Sequence, residues 1–131
     1  MLKKVILAIA LAVFTVTAVP AAQVNNSSKE AAVASFLKAV MVDCDMNTTW
    51  NLLSPALQQK MIKANKNSKN AAIKAMREKL YNGITKEQLA EIKKQLQNKE
   101  VFAAMLKEAL SSMDKDDVVQ IKGKWYINNL D

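Results

Sequence analysis

Val33, Phe36, Leu37, Val40, Met41 and Cys44 fall at i, i+3, i+4, i+7, i+8 and i+11. Only a helix of about 3.6 residues per turn gathers such a set onto one face. That continuous apolar stripe must be buried, so the core is expected to form on this helix. A second stripe runs through Val101, Phe102, Met105, Leu106, Ala109, Leu110 and Met113. Shorter ones carry Trp50 with Leu53, Leu57 with Met61, Ile73 with Met76 and Leu80, and Leu89 with Ile92 and Leu96. The pattern predicts a helix-rich α+β domain of four to five amphipathic helices followed by a C-terminal β-hairpin.

Local signals divide the helices. Ser27 with Glu30 three residues on is a capping-box signature, and the first helix is expected to start near Ser28. Asn47 is expected to cap a short helix carrying Trp50. Ser54-Pro55 reads as an N-cap with proline at the first helical position, and Ser68, Thr85 with Gln88, and Asn98 open the later helices. Asn82-Gly83 is a stop signal. Lys63 to Asn70 is polar and reads as an exposed connection. In the hairpin, Val118 to Ile121 and Trp125 to Ile127 flank Lys122-Gly123-Lys124. A three-residue loop is the preferred reading, pairing Ile121 with Trp125 and Val119 with Ile127, because it places four apolar residues on one face.

The chain opens Met1-Leu2-Lys3-Lys4, continues through an apolar run from Val5 to Val19, and reaches Pro20-Ala21-Ala22. A positive start, an apolar run of about fifteen residues and small residues after it make a signal peptide. The run is shorter than the roughly 20 residues that span a bilayer, so no retained membrane anchor is expected. Cleavage after Ala21 removes residues 1–21 from 131 and leaves 110, enough for one core, with residues 22–28 as a flexible leader. Losing Lys3 and Lys4 takes 19 basic residues to 17 against 12 acidic, a formal charge of +5. The working protein is therefore expected to be a basic, exported domain, periplasmic or secreted.

Composition excludes several chemistries. With no histidine, Ser-His-Asp and Cys-His catalysis and the commonest transition-metal ligand are absent. Cys44 is the single cysteine, so no intramolecular disulfide forms, and its place on the first stripe predicts a small buried thiol. Asp43, Asp45 and Asn47 begin like a calcium loop, but Thr48 stands where glycine is needed and Ser54 where a bidentate glutamate is needed. A polar turn is expected there. Asp114, Asp116 and Asp117 cluster before the hairpin and read as a solvated turn. Lys60, Lys63, Lys66 and Lys69 recur every third residue, a basic strip that could contact an anionic surface. Nucleic acid is not the expected partner, because Arg77 is the one arginine available for bidentate contacts. Trp50 and Trp125 are expected in the core or lining a pocket. No catalytic, metal or cofactor residue is assigned, and no cofactor is expected.

Two resemblances follow. Phe36-Leu37-Lys38-Ala39-Val40, Asp43, Asp45 and Trp50-Asn51-Leu52-Leu53-Ser54-Pro55 resemble the opening helix pair of small exported domains in the nuclear transport factor 2-like superfamily. Lys122-Gly123-Lys124-Trp125-Tyr126-Ile127 is similar to their final hairpin. Together these cover about a third of the mature chain. The likeness implies a curved sheet around a long helix, leaving a pocket, in a family with both enzymes and non-catalytic binding domains. In the middle, helical stripes stand where that family has strands. Ile84-Thr85-Lys86-Glu87-Gln88 is similar to the Leu-Thr-x-x-Gln motif of Spy-type periplasmic chaperones, helical cradles for unfolded clients, and methionines would suit that role.

The function these observations lead to is an exported, non-catalytic binding or accessory domain, taking a small hydrophobic ligand or an envelope protein. A helical chaperone is the first alternative. The second is an enzyme using Asp43, Asp45, Asp114, Asp116 or Asp117 in a cone-shaped pocket.

Overall fold

The first apolar stripe becomes the middle of the molecule. The computed structural model describes residues 26–131, so the expected signal segment 1–21 lies outside the described residues. Helix α1 (Lys29–Leu37) runs on into a π-wound segment (Lys38–Val42). From Ala32 to Val42 every residue except Lys38 is buried. An amphipathic stripe needs only one face covered, but here small residues at Ala32, Ala34, Ser35 and Ala39 let neighbours close on all sides. Phe36, Leu37 and Met41 are fully buried, each contributing about 2–3 kcal/mol of transfer free energy.

Five more helices follow: α2 (Met46–Asn51), α3 (Pro55–Ala64), α4 (Lys69–Tyr81), α5 (Lys86–Leu96) and α6 (Lys99–Ser112). The total is six, above the expected four to five, and it includes the short Trp50 helix that the sequence marks out. The first half of α1 lies against α6 and the hairpin, the π-wound half against α5 and α2, and α3 packs on α4. Caps at Ser54, Ser68 and Asn98 match the sequence, and Thr85 and Gln88 form a reciprocal capping box. Two caps differ. Ser28, not Ser27, caps α1 by accepting from the Ala31 N–H, and Asp45, not Asn47, caps α2 by accepting from the Thr48 N–H. Part of the expected flexible leader is held: besides the Ser28 cap, the Asn26 carbonyl accepts from the Trp125 N–H at 2.9 Å.

The helix-rich α+β class holds, with one antiparallel hairpin, β1 (Val118–Ile121) and β2 (Lys124–Ile127). Its register corrects the three-residue loop: Val118 pairs with Ile127, Val119 with Tyr126, Gln120 with Trp125 and Ile121 with Lys124. Lys122 and Gly123 both have positive φ, 51° and 81°. Such a two-residue turn matches the right-handed twist of the strands, and this outweighs gathering four apolar residues on one face. Val118 and Ile127 point into the core, while Ile121 is left 37 % exposed. Beyond β2, the Ile127 N–H donates to the Leu52 carbonyl and the Ser54 N–H to the Ile127 carbonyl. The α2–α3 connection thus acts as a short third member, which gives a two-stranded sheet the support it needs. The sheet lies against α1 and has two strands among the described residues. No helix among the described residues is long and apolar enough to cross a membrane.

Candidate binding cleft

Two sets of residues at helical spacing meet where α1 ends. On α4, Lys74, Arg77, Glu78 and Tyr81 fall at i, i+3, i+4 and i+7, a face distinct from the Ile73, Met76 and Leu80 stripe that packs inward. At the start of α5, Thr85, Lys86 and Leu89 face them across the Asn82-Gly83 turn. With Ile84 and Cys44 these residues line an open cleft of about 590 Å³, within the size range of small-molecule sites.

Tyr81 anchors one wall. Its hydroxyl donates to the Val40 carbonyl at 2.6 Å. Val40 lies in the π-wound segment, where the Asp43 N–H reaches Lys38 O and the Asp45 N–H reaches Ala39 O. That winding departs from the usual i→i−4 ladder and lets a helix carbonyl accept from a side chain. Burial raises the Tyr81 hydroxyl above its ordinary value of 10, its Cys44 neighbour adds to the rise, and Arg77 partly opposes it. Tyr81 therefore stays a neutral donor at physiological pH.

Cys44 corrects the sequence reading. It is exposed, not buried, because α1 ends at Val42 and Cys44 takes a left-handed conformation with φ 50°. The change of direction carries its side chain off the stripe and into the cleft wall.

The electrostatics of the cleft are one-sided: Lys74, Arg77 and Lys86 face the carboxylate of Glu78 alone. The N-terminal end of α5 opens here too, adding the positive end of a helix dipole. Tyr81, Ile84 and Leu89 supply apolar surface. Such a cleft suits an anionic group joined to an apolar body. A second cleft of about 740 Å³ lies between α3 and the C-terminal residues. There Lys60 and Lys79 face Asp116, Asp117 and Asp131, and Lys79 is already paired with Asp131. Its three carboxylates outnumber its two ammonium groups, so it offers an anionic ligand less.

The remaining candidate residues lie elsewhere. Trp50 is 3 % exposed in the core, and Trp125 is half-buried against it. Neither lines these two clefts. Asp43 is ion-paired with Lys38 at 2.8 Å, and Asp45 accepts from the Thr48 N–H and hydroxyl, which lowers its pKa. Asp117 departs from the expected solvated turn: it is 6 % exposed and accepts from the Asp114 N–H and the Asn129 side chain. Asp43, Asp45 and Asp117 are thus engaged in holding turns, while Asp114 and Asp116 are exposed. Lys60, Lys63, Lys66 and Lys69 are all exposed. The methionines turn inward: Met41, Met76 and Met105 are buried, and Met46, Met61 and Met113 pack against the core. Thr85 and Gln88 bond each other at the start of α5.

Sequence reading missed the cleft because Lys74, Arg77, Glu78 and Tyr81 form a second helical face of mixed character, and hydrophobic spacing highlights only the first. Comparison with protein-family models, curated proteins and solved structures gives no match.

Proposed function

We propose that the chain is an exported, non-catalytic binding domain whose α4–α5 cleft takes a small amphipathic anion. Export rests on the Met1–Ala22 signal pattern. The observation that carries the binding reading is the imbalance of three cations over one carboxylate around an apolar-walled cavity of about 590 Å³. The three cations are exposed at the cleft rim, where they can meet a ligand anion through charge-assisted hydrogen bonds, and the apolar wall supplies affinity for the ligand body. The engagement of Asp43, Asp45 and Asp117 and the absence of histidine favour binding over catalysis. The inward methionines weigh against a chaperone's adaptable client surface.

The test is titration with decanoate and, in parallel, neutral decanol, followed by amide chemical shifts. Decanoate is expected to move Tyr81, Ile84 and Leu89 and to bind at least tenfold tighter than decanol, with Arg77→Ala removing most of that preference. If no cleft resonance responds to either compound, the reading falls.

A further inference from the structure

The positive charge of the described residues is concentrated in one structural unit. From Pro55 to Tyr81, the α3–α4 hairpin holds seven basic residues against the single acidic Glu78, a net of +6. The other described residues carry ten basic and eleven acidic groups, a net of −1. The basic strip predicted from sequence is thus the edge of a larger field. Lys63, Lys66 and Lys69 sit around the α3–α4 turn, with Lys60 one helical turn behind at the edge of the second cleft, and all four are exposed. Positive φ at Lys66 and Asn67 lets the chain reverse there, so residues spread over ten positions converge at one end of the hairpin.

We propose that this hairpin end is an adsorption face for an anionic lipid bilayer. A broad array of lysines, each a hydrated point charge, suits a diffuse negative surface, whereas site-specific phosphate contacts favour arginine forks. The hairpin's one aromatic residue, Tyr81, lies at the far end of α4 from the lysines and is held by the Val40 carbonyl, so the lysine end has no ring on which unpaired bases could stack, as single-stranded nucleic acid binding requires. Helix α3 has no fully buried residue: Leu57, Met61 and Ile62 pack against the core on one side and remain partly exposed beside the lysines on the other. A lightly buried helix with lysines beside apolar side chains is the form that interfacial helices take. The face is separate from the ligand cleft, whose cations are Lys74, Arg77 and Lys86.

The experiment is co-sedimentation of the chain from Ala22 onward, which keeps every residue of the core, with vesicles of phosphatidylcholine alone or with about one-third phosphatidylglycerol. Binding is expected only to the anionic vesicles and is expected to weaken steeply with added salt. Lys60→Glu, Lys63→Glu, Lys66→Glu and Lys69→Glu together should lower it by roughly 30-fold or more. A charge-matched control reverses Lys93, Lys94, Lys107 and Lys115 instead and should retain most of the binding. A four-fold Lys→Gln variant of the hairpin end serves if the glutamate variant fails to fold. Equal losses in the two charge-reversed proteins would overturn the proposal, since net charge alone would then explain adsorption. So would no binding to anionic vesicles at low salt, or tighter binding to a single-stranded oligonucleotide with the same lysine dependence.

Discussion

The hydroxyl of Tyr81, at the end of α4, donates to the carbonyl oxygen of Val40, in the π-wound end of α1, across 2.6 Å. It joins residues 41 apart in sequence and fixes the wall of the ligand cleft. Burial holds the folded-state value above the ordinary 10, so the unfolded chain releases this proton first. The stabilisation is complete below pH 10 and is lost as pH rises above it. Tyr81→Phe is expected to cost about 1 kcal/mol at pH 8. The difference from the parent protein should narrow as pH rises above 10, as read by denaturant unfolding. Lysine titration affects both proteins alike, so a constant gap would show that Tyr81 ionises as freely in the fold as out of it.

Cys44 offers a direct probe of the cleft. Because it is exposed and lines the same cavity as Tyr81 and Arg77, a maleimide should react with it in the native protein without denaturant. Saturating decanoate should slow that reaction at least fivefold. Labelling followed by intact-mass spectrometry measures both rates, and a rate unchanged by ligand would separate Cys44 from the binding site.

Ser54 links the helices to the C-terminal residues. Its hydroxyl accepts from the Leu57 N–H at 3.1 Å and donates to the Asn128 side-chain oxygen at 2.6 Å, and the residue is fully buried. Ser54→Ala removes a helix cap and leaves a polar partner behind. A loss of about 1–2 kcal/mol is expected by thermal or chemical unfolding, with Ser54→Thr recovering part of it.

The hairpin turn is suboptimal for its geometry. Lys122 holds φ 51°, a region asparagine tolerates better than lysine. Lys122→Asn should stabilise the protein by roughly 0.5 kcal/mol and raise its melting temperature by a few degrees. With a three-residue loop the substitution would bring no such gain, so the same measurement tests the register.

Much of the architecture could be read directly. Helix starts at Ser54, Ser68, Thr85 and Asn98 are written in side chains that bond backbone groups two or three residues away, and such local chemistry needs no tertiary partner. The same holds for the apolar spacing of α1 and α6 and for the lysine strip, whose exposure follows from charge. Sequence by itself therefore determined the class of the fold, the helix order and where the positive charge would lie.

Tertiary structure decided the rest. Whether Cys44 stayed on the stripe depended on the π-wound segment stopping at Val42 and on the left-handed turn at Cys44, neither of which residue spacing encodes. The hairpin register was set by strand twist acting through Lys122 and Gly123, against the grouping of apolar side chains. Asp117 became buried because the C-terminal residues supplied Asn129 to bond it. The cleft itself exists only because the second face of α4 meets the start of α5. Side chains from separate segments converge there through packing, a long-range outcome that no local pattern encodes.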